Sequence, residues 1–251
     1  MKTPLASGAR VEIFDTLDST SLEAKRRASS GDKGPVWFIA LRQTSGYGRR
    51  GSEWRQAEGD VAATLLFRPE APAEVLPQLS FVAALGVADA IRRFAPKADL
   101  ALKWPNDILA GGGKIAGILL ELIGGAASPP HIALGIGVNI VSAPAGLDYP
   151  TARLIDLIEG DPPHPRAFIV TLDETFAAWR KEWEREGFAG VRGEWLRRAS
   201  GLGRPVRAQL PGEIVEGVFA DLDLAGALIL DCGGERRTIA AGAILPAASA
   251  K

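Results

Sequence analysis

Apolar residues stand at every second position, or run continuously, in four short segments of the chain. This spacing is typical of strands, because successive side chains of a strand point to opposite faces of a sheet. The four predicted strands are 10–15, 36–43, 60–69 and 131–140. A fifth segment, residues 101–123, predicts two further strands around a glycine-rich turn at 111–113.

Apolar residues recur at helical spacing in three other segments. Residues 18–31 predict a short helix that begins with Thr20 and Glu23 as a capping box. Residues 76–95 and 164–187 predict longer helices, each with one apolar face. Phenylalanine and tryptophan follow one face of the last helix, which is typical of a core contact and not of a ligand site.

The hydrophobic pattern changes near residues 200–204. From residue 204 to residue 247 the chain holds short apolar runs, which Gly, Pro and Asp interrupt about every 8–12 residues. Such a pattern is typical of a small all-β barrel. We therefore predict a larger domain, residues 1–202, and a small C-terminal barrel, residues 203–251.

Composition and charge exclude several classes of protein. Hydrophobic residues make up 47% of the 251 residues and charged residues 24%, as in ordinary globular proteins. The net charge of −1 provides no general attraction to nucleic acid or to an anionic membrane. Cys232 is the single cysteine, which excludes an intrachain disulfide or a cysteine-based metal site. Since the N-terminus has no apolar run of signal-peptide length, we expect a soluble cytoplasmic protein.

The stretch GYGRRG, residues 46–51, matches the glycine pattern of a dinucleotide-binding turn. That turn requires a crossover helix of a dozen or so residues, and only seven residues separate Gly51 from the next glycine. The same pattern occurs in kinases, but the other kinase motifs are absent from the sequence. Both of these interpretations are therefore excluded.

The loop nevertheless carries groups that suit an anionic ligand. Arg49 and Arg50 offer planar guanidinium groups to carboxylate or phosphate oxygens. Trp54 follows shortly afterwards and offers a flat face for stacking. Taken alone, the stretch fits a ligand-covering loop and a solvated surface turn equally well.

A second set of polar residues favours the ligand-covering loop. The segment KWPNDI places Lys103, Asn106 and Asp107 beside a proline. Lys114 borders an apolar strand and follows a run of glycines, which fits an ammonium group that faces a pocket. Asn139 lies in an otherwise apolar strand, where a buried amide needs hydrogen-bond partners.

Five motifs, in sequence order, resemble those of the bacterial biotin–protein ligases. They are DSTS, QTSGYGRRGSEW, KWPNDIL, GKIAGILLE and GIGVNI. The resemblance implies an α+β catalytic fold like that of class II aminoacyl-tRNA synthetases, in which a mixed or antiparallel sheet packs against helices. It also implies that the C-terminal barrel is SH3-like.

The resemblance further implies an ATP-dependent ligase. Such an enzyme forms biotinyl-5′-AMP from biotin and MgATP, and transfers biotin to one lysine of a biotin carboxyl carrier domain of a carboxylase. The Mg²⁺ arrives with ATP, and no metal site of the protein's own is expected. A lipoate- or other acyl–protein ligase on the same fold is an alternative, and so is a non-catalytic biotin-binding sensor.

Carried over position by position, the resemblance assigns a role to each motif residue. Lys114, Arg49, Asp107 and Lys103 would act at the reacting centre. Ser19, Thr20, Ser21 and Gln43 would bind biotin. The loop over biotin and the adenylate would comprise Gly46, Tyr47, Gly48, Arg49, Arg50 and Gly51. The remaining ligand contacts would be Trp54, Asn106, Lys114, Gly117 and Asn139, with Trp54 and Asn139 near the adenine.

The chain also departs from the family pattern in its motifs and at its N-terminus. Tyr47 and Ser52 stand where arginines are usual, and Ser21 stands where asparagine is usual. The loss of two cations predicts a weaker hold on the adenylate. Only about ten residues precede the first strand, too few for the helix-turn-helix domain of many relatives, so we expect no DNA partner. A homodimer is compatible with the resemblance.

Overall fold

The larger sheet has seven strands in the spatial order β1-β2-β3-β7-β6-β5-β4. The computed structural model describes residues 5–124 and 130–245. The seven strands are β1 Arg10–Phe14, β2 Val36–Ala40, β3 Val61–Phe67, β4 Leu100–Lys103, β5 Asp107–Ala110, β6 Gly113–Ile123 and β7 His131–Val138. Strands β1 and β2 run parallel and the other neighbouring pairs run antiparallel, so the sheet is mixed, as predicted.

Helices cover both faces of this sheet. They are α1 Thr20–Ser29, α2 Leu79–Phe94, α3 Pro165–Glu186 and α4 Phe188–Arg197. On one face α2 and α3 pack over Trp37 and Leu65, and on the other face Ala24 of α1 packs against Phe38 and Leu66. Because both faces are covered, every residue of β2 and β3 is buried, which explains their nearly continuous apolar sequences.

Helix α2 is the one described helix that is long and apolar enough to cross a membrane. Together with the 3-10 turn before it, it spans residues 73–94, and its most apolar window of 18 residues has a mean hydropathy of 1.4. Since 72% of its most apolar window is buried inside the protein, its hydrophobicity is explained by core packing.

A second, antiparallel sheet of five strands follows in the order β11-β10-β9-β8-β12. Its strands are β8 Pro205–Leu210, β9 Glu213–Leu222, β10 Leu228–Asp231, β11 Arg236–Ile239 and β12 Ala243–Ile244. Phe219 and Leu222 of this sheet belong to the same apolar cluster as Phe81 of α2 and Trp195 of α4. The predicted all-β C-terminal unit is therefore present, and one continuous core joins it to the larger sheet.

The structure differs from the predicted elements in two places. Segment 101–123 contains parts of three strands, not two, because the chain reverses at Trp104–Pro105 between β4 and β5. Helix α4 was not predicted, since Gly190 and Gly193 lower its helical propensity. Packing of its apolar residues against the core outweighs that propensity.

The predicted capping box of α1 is also displaced by one residue. Ser19, and not Thr20, is the N-cap, and its side chain accepts a hydrogen bond from the backbone N–H of Ser21. Glu23 instead forms ion pairs with Arg26 and Arg27. This shift leaves the hydroxyl of Thr20 available to the interior of the protein.

Candidate active site

A cavity of about 210 Å³ lies on the α1 face of the larger sheet. Its floor is a row of small residues that pair across neighbouring strands, Ala62 of β3, Gly137 of β7 and Gly117 of β6. Asp107 of β5 continues the row to one side. Small residues keep the floor low, so that the ring of Trp54 can lie close to the backbone of the sheet at Gly137.

The glycines of the floor are required by close contacts with other elements. A Cβ atom at Gly137 would lie 2.2 Å from the ring of Trp54. A Cβ atom at Gly135, in the next row, would lie 2.9 Å from the hydroxyl of Ser21. A larger residue at either position would displace Trp54 or the start of α1.

Neutral polar groups form one end of the cavity, where α1 begins. Gln43 Oε1 accepts hydrogen bonds from the backbone N–H of Thr20 at 2.8 Å and from its hydroxyl at 3.2 Å. The hydroxyl of Thr64 donates to Thr20 Oγ1 at 2.8 Å and lies 3.2 Å from Ser21 Oγ. Ser19, Thr20 and Ser21 are all buried. This network fixes their hydroxyl groups, and Gln43 can offer its amide nitrogen to a ligand.

Residues 46–54 form a hairpin over the cavity. The backbone N–H of Gly48 donates to the carbonyl of Ser52 at 2.7 Å. At the tip, Arg50 and Gly51 have φ angles of 57° and 74°. Glycine tolerates this left-handed conformation, which accounts for Gly51 in the motif.

Arg49 joins the hairpin to two other parts of the protein. Its Nη1 atom lies 3.2 Å from the carbonyl oxygen of Gly242, which directly precedes β12, and 3.4 Å from Oδ1 of Asn106. Burial lowers the pKa of Arg49, as does the charge of Arg50, whereas Asp107 raises it. The guanidinium group stays protonated at neutral pH, because its ordinary pKa lies so far above 7.

Lys114 and Asp107 form an ion pair at the end of the cavity opposite to α1. Their Nζ and Oδ1 atoms lie 2.7 Å apart, and both side chains are about four-fifths buried. The contact is an ion pair without the alignment of a hydrogen bond, so Oδ1 still lacks a hydrogen-bond partner within the described chain.

A β-bulge determines where Lys114 points. The register between β5 and β6 shifts by one residue, so that Ile115 is extra on β6. Ile115 is buried in the core on the opposite face. Because of the bulge, the side chain of Lys114 lies on the cavity face of the sheet, together with Gly117. With regular alternation, it would lie on the opposite face.

Lys103 lies outside this cavity. It lines an adjoining groove between the two sheets, which Lys114 and Asp107 also line. Burial lowers the pKa of Lys103, and the charge of Lys114 lowers it further, whereas Asp107 raises it. The carboxylate of Asp107 therefore has Lys114 on the side of the cavity and Lys103 on the side of the groove.

Trp54 covers the glycines of the floor. Its backbone N–H donates to the carbonyl of Gly46 at 2.9 Å, which closes the base of the hairpin. Lys114 Nζ lies 5.9 Å from the centre of the Trp54 ring and 5.5 Å from that of Tyr149. The indole N–H is buried and has no hydrogen-bond partner within residues 5–124 and 130–245.

Asn139 supports the site from behind and does not line the cavity. Its side-chain N–H groups donate to the carbonyl oxygens of Lys114 at 3.2 Å and Ala152 at 3.0 Å. Its Oδ1 atom is buried without a partner in the described chain. Gly46 and Gly51 also lie outside the cavity lining, while the other predicted residues, except Lys103, line it.

The sequence of this chain is similar to a known protein family. The sequence model of the Biotin/lipoate A/B protein ligase family matches residues 13–139. The chain belongs to this ligase family. A second model, the Biotin protein ligase C terminal domain, matches residues 201–245, which correspond to the second sheet of the ligase.

Individual ligases are similar over nearly the whole chain. A biotin–[acetyl-CoA-carboxylase] ligase of Paracoccus denitrificans is 42% identical over 90% of this chain and 96% of the relative. A ligase of the same name from Mycobacterium tuberculosis is 32% identical over 94% and 88%. The structure of a biotin protein ligase from Aquifex aeolicus in complex with biotin and ATP superposes with a TM-score of 0.80 at 23% identity, over 94% of this chain and 97% of that one. The predicted fold class is therefore confirmed.

Several residues in or beside the ligase cavity were not identified from the sequence. Thr64 carried a usable signal, since a hydroxyl in a fully buried strand needs a partner. Tyr149 lies in an irregular segment that no periodicity describes. Gly242 and Ala243 reach the cavity from the second sheet, a contact that only the tertiary structure creates.

Proposed function

We propose that this protein is a biotin–[biotin carboxyl carrier protein] ligase. It joins biotin and ATP into biotinyl-5′-AMP and then transfers biotin to a specific lysine of a carrier domain. The observation that carries the proposal is the division of one cavity into a neutral hydrogen-bonding end and a cationic end. Biotin has the same division, with a neutral ureido ring at one end and a carboxylate at the other.

The ureido ring would bind at the start of α1. Its carbonyl oxygen needs donors and its N–H groups need acceptors, and Ser19, Thr20, Ser21 and Gln43 supply both. Because these groups are already held by Thr64 and by each other, little ordering is needed on binding. The apolar chain of biotin would lie along the cavity between this end and the cationic end.

Adenylation would take place at the cationic end. A carboxylate oxygen of biotin attacks the α-phosphorus of ATP, the bond to the bridging oxygen breaks, and pyrophosphate leaves. Both reactants are anions, so Lys114 and Arg49 would offset their repulsion and stabilise the charge that develops on the α-phosphate. Lys103 would add positive potential from the groove, and Asn106 would hold the guanidinium of Arg49 in place.

Mg²⁺ would enter as part of the MgATP substrate. Magnesium is commonly held by substrate phosphates with only one or two protein carboxylates. Asp107 provides a carboxylate at the correct end. The described residues contain no cluster of three His, Cys, Asp or Glu side chains that could hold an ion by themselves.

Transfer would then use the same end of the cavity. The carrier's lysine attacks the acyl carbon of the mixed anhydride as a neutral amine, and AMP leaves. Asp107 can accept the proton that the amine loses. The hairpin residues Gly46, Gly48, Arg50 and Gly51 would cover the adenylate until that step.

The adenine would lie near Trp54. The exposed side of its indole ring offers a stacking surface, and its N–H is a free donor within the described chain. Asn139 Oδ1 is the acceptor that the adenine amino group would satisfy. Because that oxygen is buried, neighbouring side chains must move before the nucleotide reaches it.

Two alternatives fit the site less well. The dithiolane ring of lipoate has no hydrogen-bonding groups, so the hydroxyl groups at the start of α1 and the amide nitrogen of Gln43 would gain no partner from it. The buried Lys114–Asp107 pair carries a desolvation penalty. A ligase would use these charges in its reaction, whereas a biotin sensor would have no reaction that requires the pair.

The acceptor follows from the names of the relatives, which point to a biotin-dependent acetyl-CoA carboxylase. A cytoplasmic location, the absence of DNA and membrane partners, and a homodimer stay predictions. The domain limits 1–202 and 203–251 also stay predictions.

One incubation separates these functions. The protein is mixed with α-labelled ATP, an apo carrier domain, and either biotin or lipoate. The proposal predicts pyrophosphate release that requires biotin, followed by labelling of the carrier. Release with lipoate alone would support the acyl-ligase alternative, and tight biotin binding without pyrophosphate release would support the sensor.

A further inference from the structure

Three polar side chains meet at the edge of the cavity, where the hairpin contacts α1 and β6. They are Lys25 of α1, Tyr47 of the hairpin and Glu121 of β6. Lys25 Nζ donates to Glu121 Oε1 at 2.8 Å and to the Tyr47 hydroxyl at 3.1 Å. The Tyr47 hydroxyl in turn donates to Glu121 Oε2 at 3.0 Å. Each member of this Tyr47 cluster thus contacts the other two.

Two members of the cluster, Tyr47 and Lys25, keep their protons at neutral pH. Burial raises the pKa of the Tyr47 hydroxyl, so it remains a donor at neutral pH. Burial alone would lower the pKa of Lys25, but the hydrogen bonds to Glu121 and Tyr47 raise it overall. The ammonium group of Lys25 therefore stays charged, and hydrogen bonds from a charged donor are the strong ones.

The hairpin is consequently held on two sides. On one side Tyr47 joins it to α1 and β6, and on the other side Arg49 joins it to Gly242 and Asn106. Both attachments use atoms of the protein alone. An arginine in place of Tyr47 could instead supply charge to the ligand, but it could not accept a hydrogen bond from Lys25.

We propose that Tyr47 is a positioning residue that holds the hairpin over the cavity before any ligand binds. In this chain the closed hairpin, and not an additional cation, retains the reaction intermediate. The statement about retention rests on the proposed ligase function, whereas the statement about closure does not.

Tyr47→Phe tests the proposal, because it keeps the ring and removes only the hydroxyl. Trypsin can cut at Arg49 and Arg50 only when the hairpin opens, and cleavage is followed by mass spectrometry without ligand. We expect cleavage about tenfold faster than in the wild type, in line with the loss of hydrogen bonds to charged groups. Escape of biotinyl-5′-AMP from the loaded enzyme should accelerate by a similar factor.

A double-mutant cycle shows whether the effect passes through the cluster. Glu121→Gln alone should also speed cleavage, and Tyr47→Phe combined with Glu121→Gln should be no faster than the faster single variant. Arg27→Met serves as the control, since Arg27 lies on the same helix as Lys25 and its ion pairs, with Glu12 of β1 and Glu23 of α1, do not involve the hairpin.

The two readouts distinguish failure of this proposal from failure of the ligase function. If Tyr47→Phe is cleaved at the same rate as the wild type, Tyr47 does not hold the hairpin closed. This conclusion does not depend on the reaction that the enzyme catalyses. Faster cleavage with unchanged escape of the intermediate would overturn retention. If the wild type forms no biotinyl-5′-AMP, the ligase function fails, and the cleavage rates still decide whether Tyr47 closes the hairpin.

Discussion

The two ends of the cavity differ in charge and in the way their groups are held. At the start of α1, hydroxyl and amide groups are neutral and already hydrogen-bonded to one another. At the other end, Lys114 and Asp107 form a buried ion pair beneath Arg49. Neutral groups of this kind bind a substrate in its ground state, whereas fixed charges act most strongly on charge that develops during reaction. Substitutions at the two ends should therefore affect different kinetic constants.

Substitutions at the charged end should have larger effects than those at the neutral end. Arg49→Met should lower the rate of adenylation about 100-fold, because it removes a preorganised cation from the charged end of the cavity. Biotin-dependent pyrophosphate release under single-turnover conditions measures the rate. Arg180→Met on α3 is a control that removes an arginine paired with Glu184, remote from the cavity. An adenylation rate within twofold of the wild type would show that Arg49 does not act at the reacting centre.

The neutral end should show the opposite behaviour. Thr20→Val keeps the shape of the side chain and removes its hydroxyl, which breaks contacts with Gln43 and Thr64. We expect KM for biotin to rise about tenfold with kcat nearly unchanged, as for the loss of a ground-state hydrogen bond. Steady-state kinetics at varied biotin concentration separate the two constants. An equal fall in kcat would mean that the two ends do not divide binding from catalysis.

The charged end should also respond to alkaline pH. Because burial lowers the pKa of Lys103, this residue loses its proton at a lower pH than an exposed lysine. Adenylation should decline as pH rises through that pKa, and in Lys103→Arg the decline should move to higher pH, since the pKa of arginine lies well above that of lysine. The pH profile of kcat/KM for ATP tests this. Superimposable profiles would show that Lys103 does not contribute.

The smallest effect concerns the stability of the neutral end. Ser19→Ala removes the N-cap of α1 and should lower the free energy of unfolding by about 1 kcal/mol. Urea unfolding gives this value. Ser30→Ala, at the exposed end of the same helix, is the matched control and should change the free energy much less. If both substitutions cost the same, the cap does not stabilise α1.

Much of the fold could be predicted from hydrophobic periodicity. Strands β2 and β3 and helix α3 have strong patterns because each is buried along its length or along one full face. Helix α4 could not be predicted, since Gly190 and Gly193 weaken its local preference and only the core contacts of Trp195 restore it.

The candidate site was predictable in its residue types and only partly in its geometry. The pairing of Lys114 with Asp107 depends on a bulge at Ile115, which leaves no mark in the periodicity of β6. The contact between Arg49 and Gly242 joins residues that are far apart in the sequence. Such features arise from tertiary packing, so local patterns do not contain them.

Biotin binding and pyrophosphate release by Lys114→Met, measured in parallel, test the division of the cavity most directly. Calorimetry measures binding, and single-turnover assays measure release, with Lys181→Met on the exposed side of α3 as the control. The structure predicts that Lys114→Met binds biotin within a few-fold of the wild type and releases pyrophosphate about 1,000-fold more slowly. Full pyrophosphate release in that variant, or loss of biotin binding with an unchanged rate of release at saturation, would contradict the assignment of chemistry to the charged end.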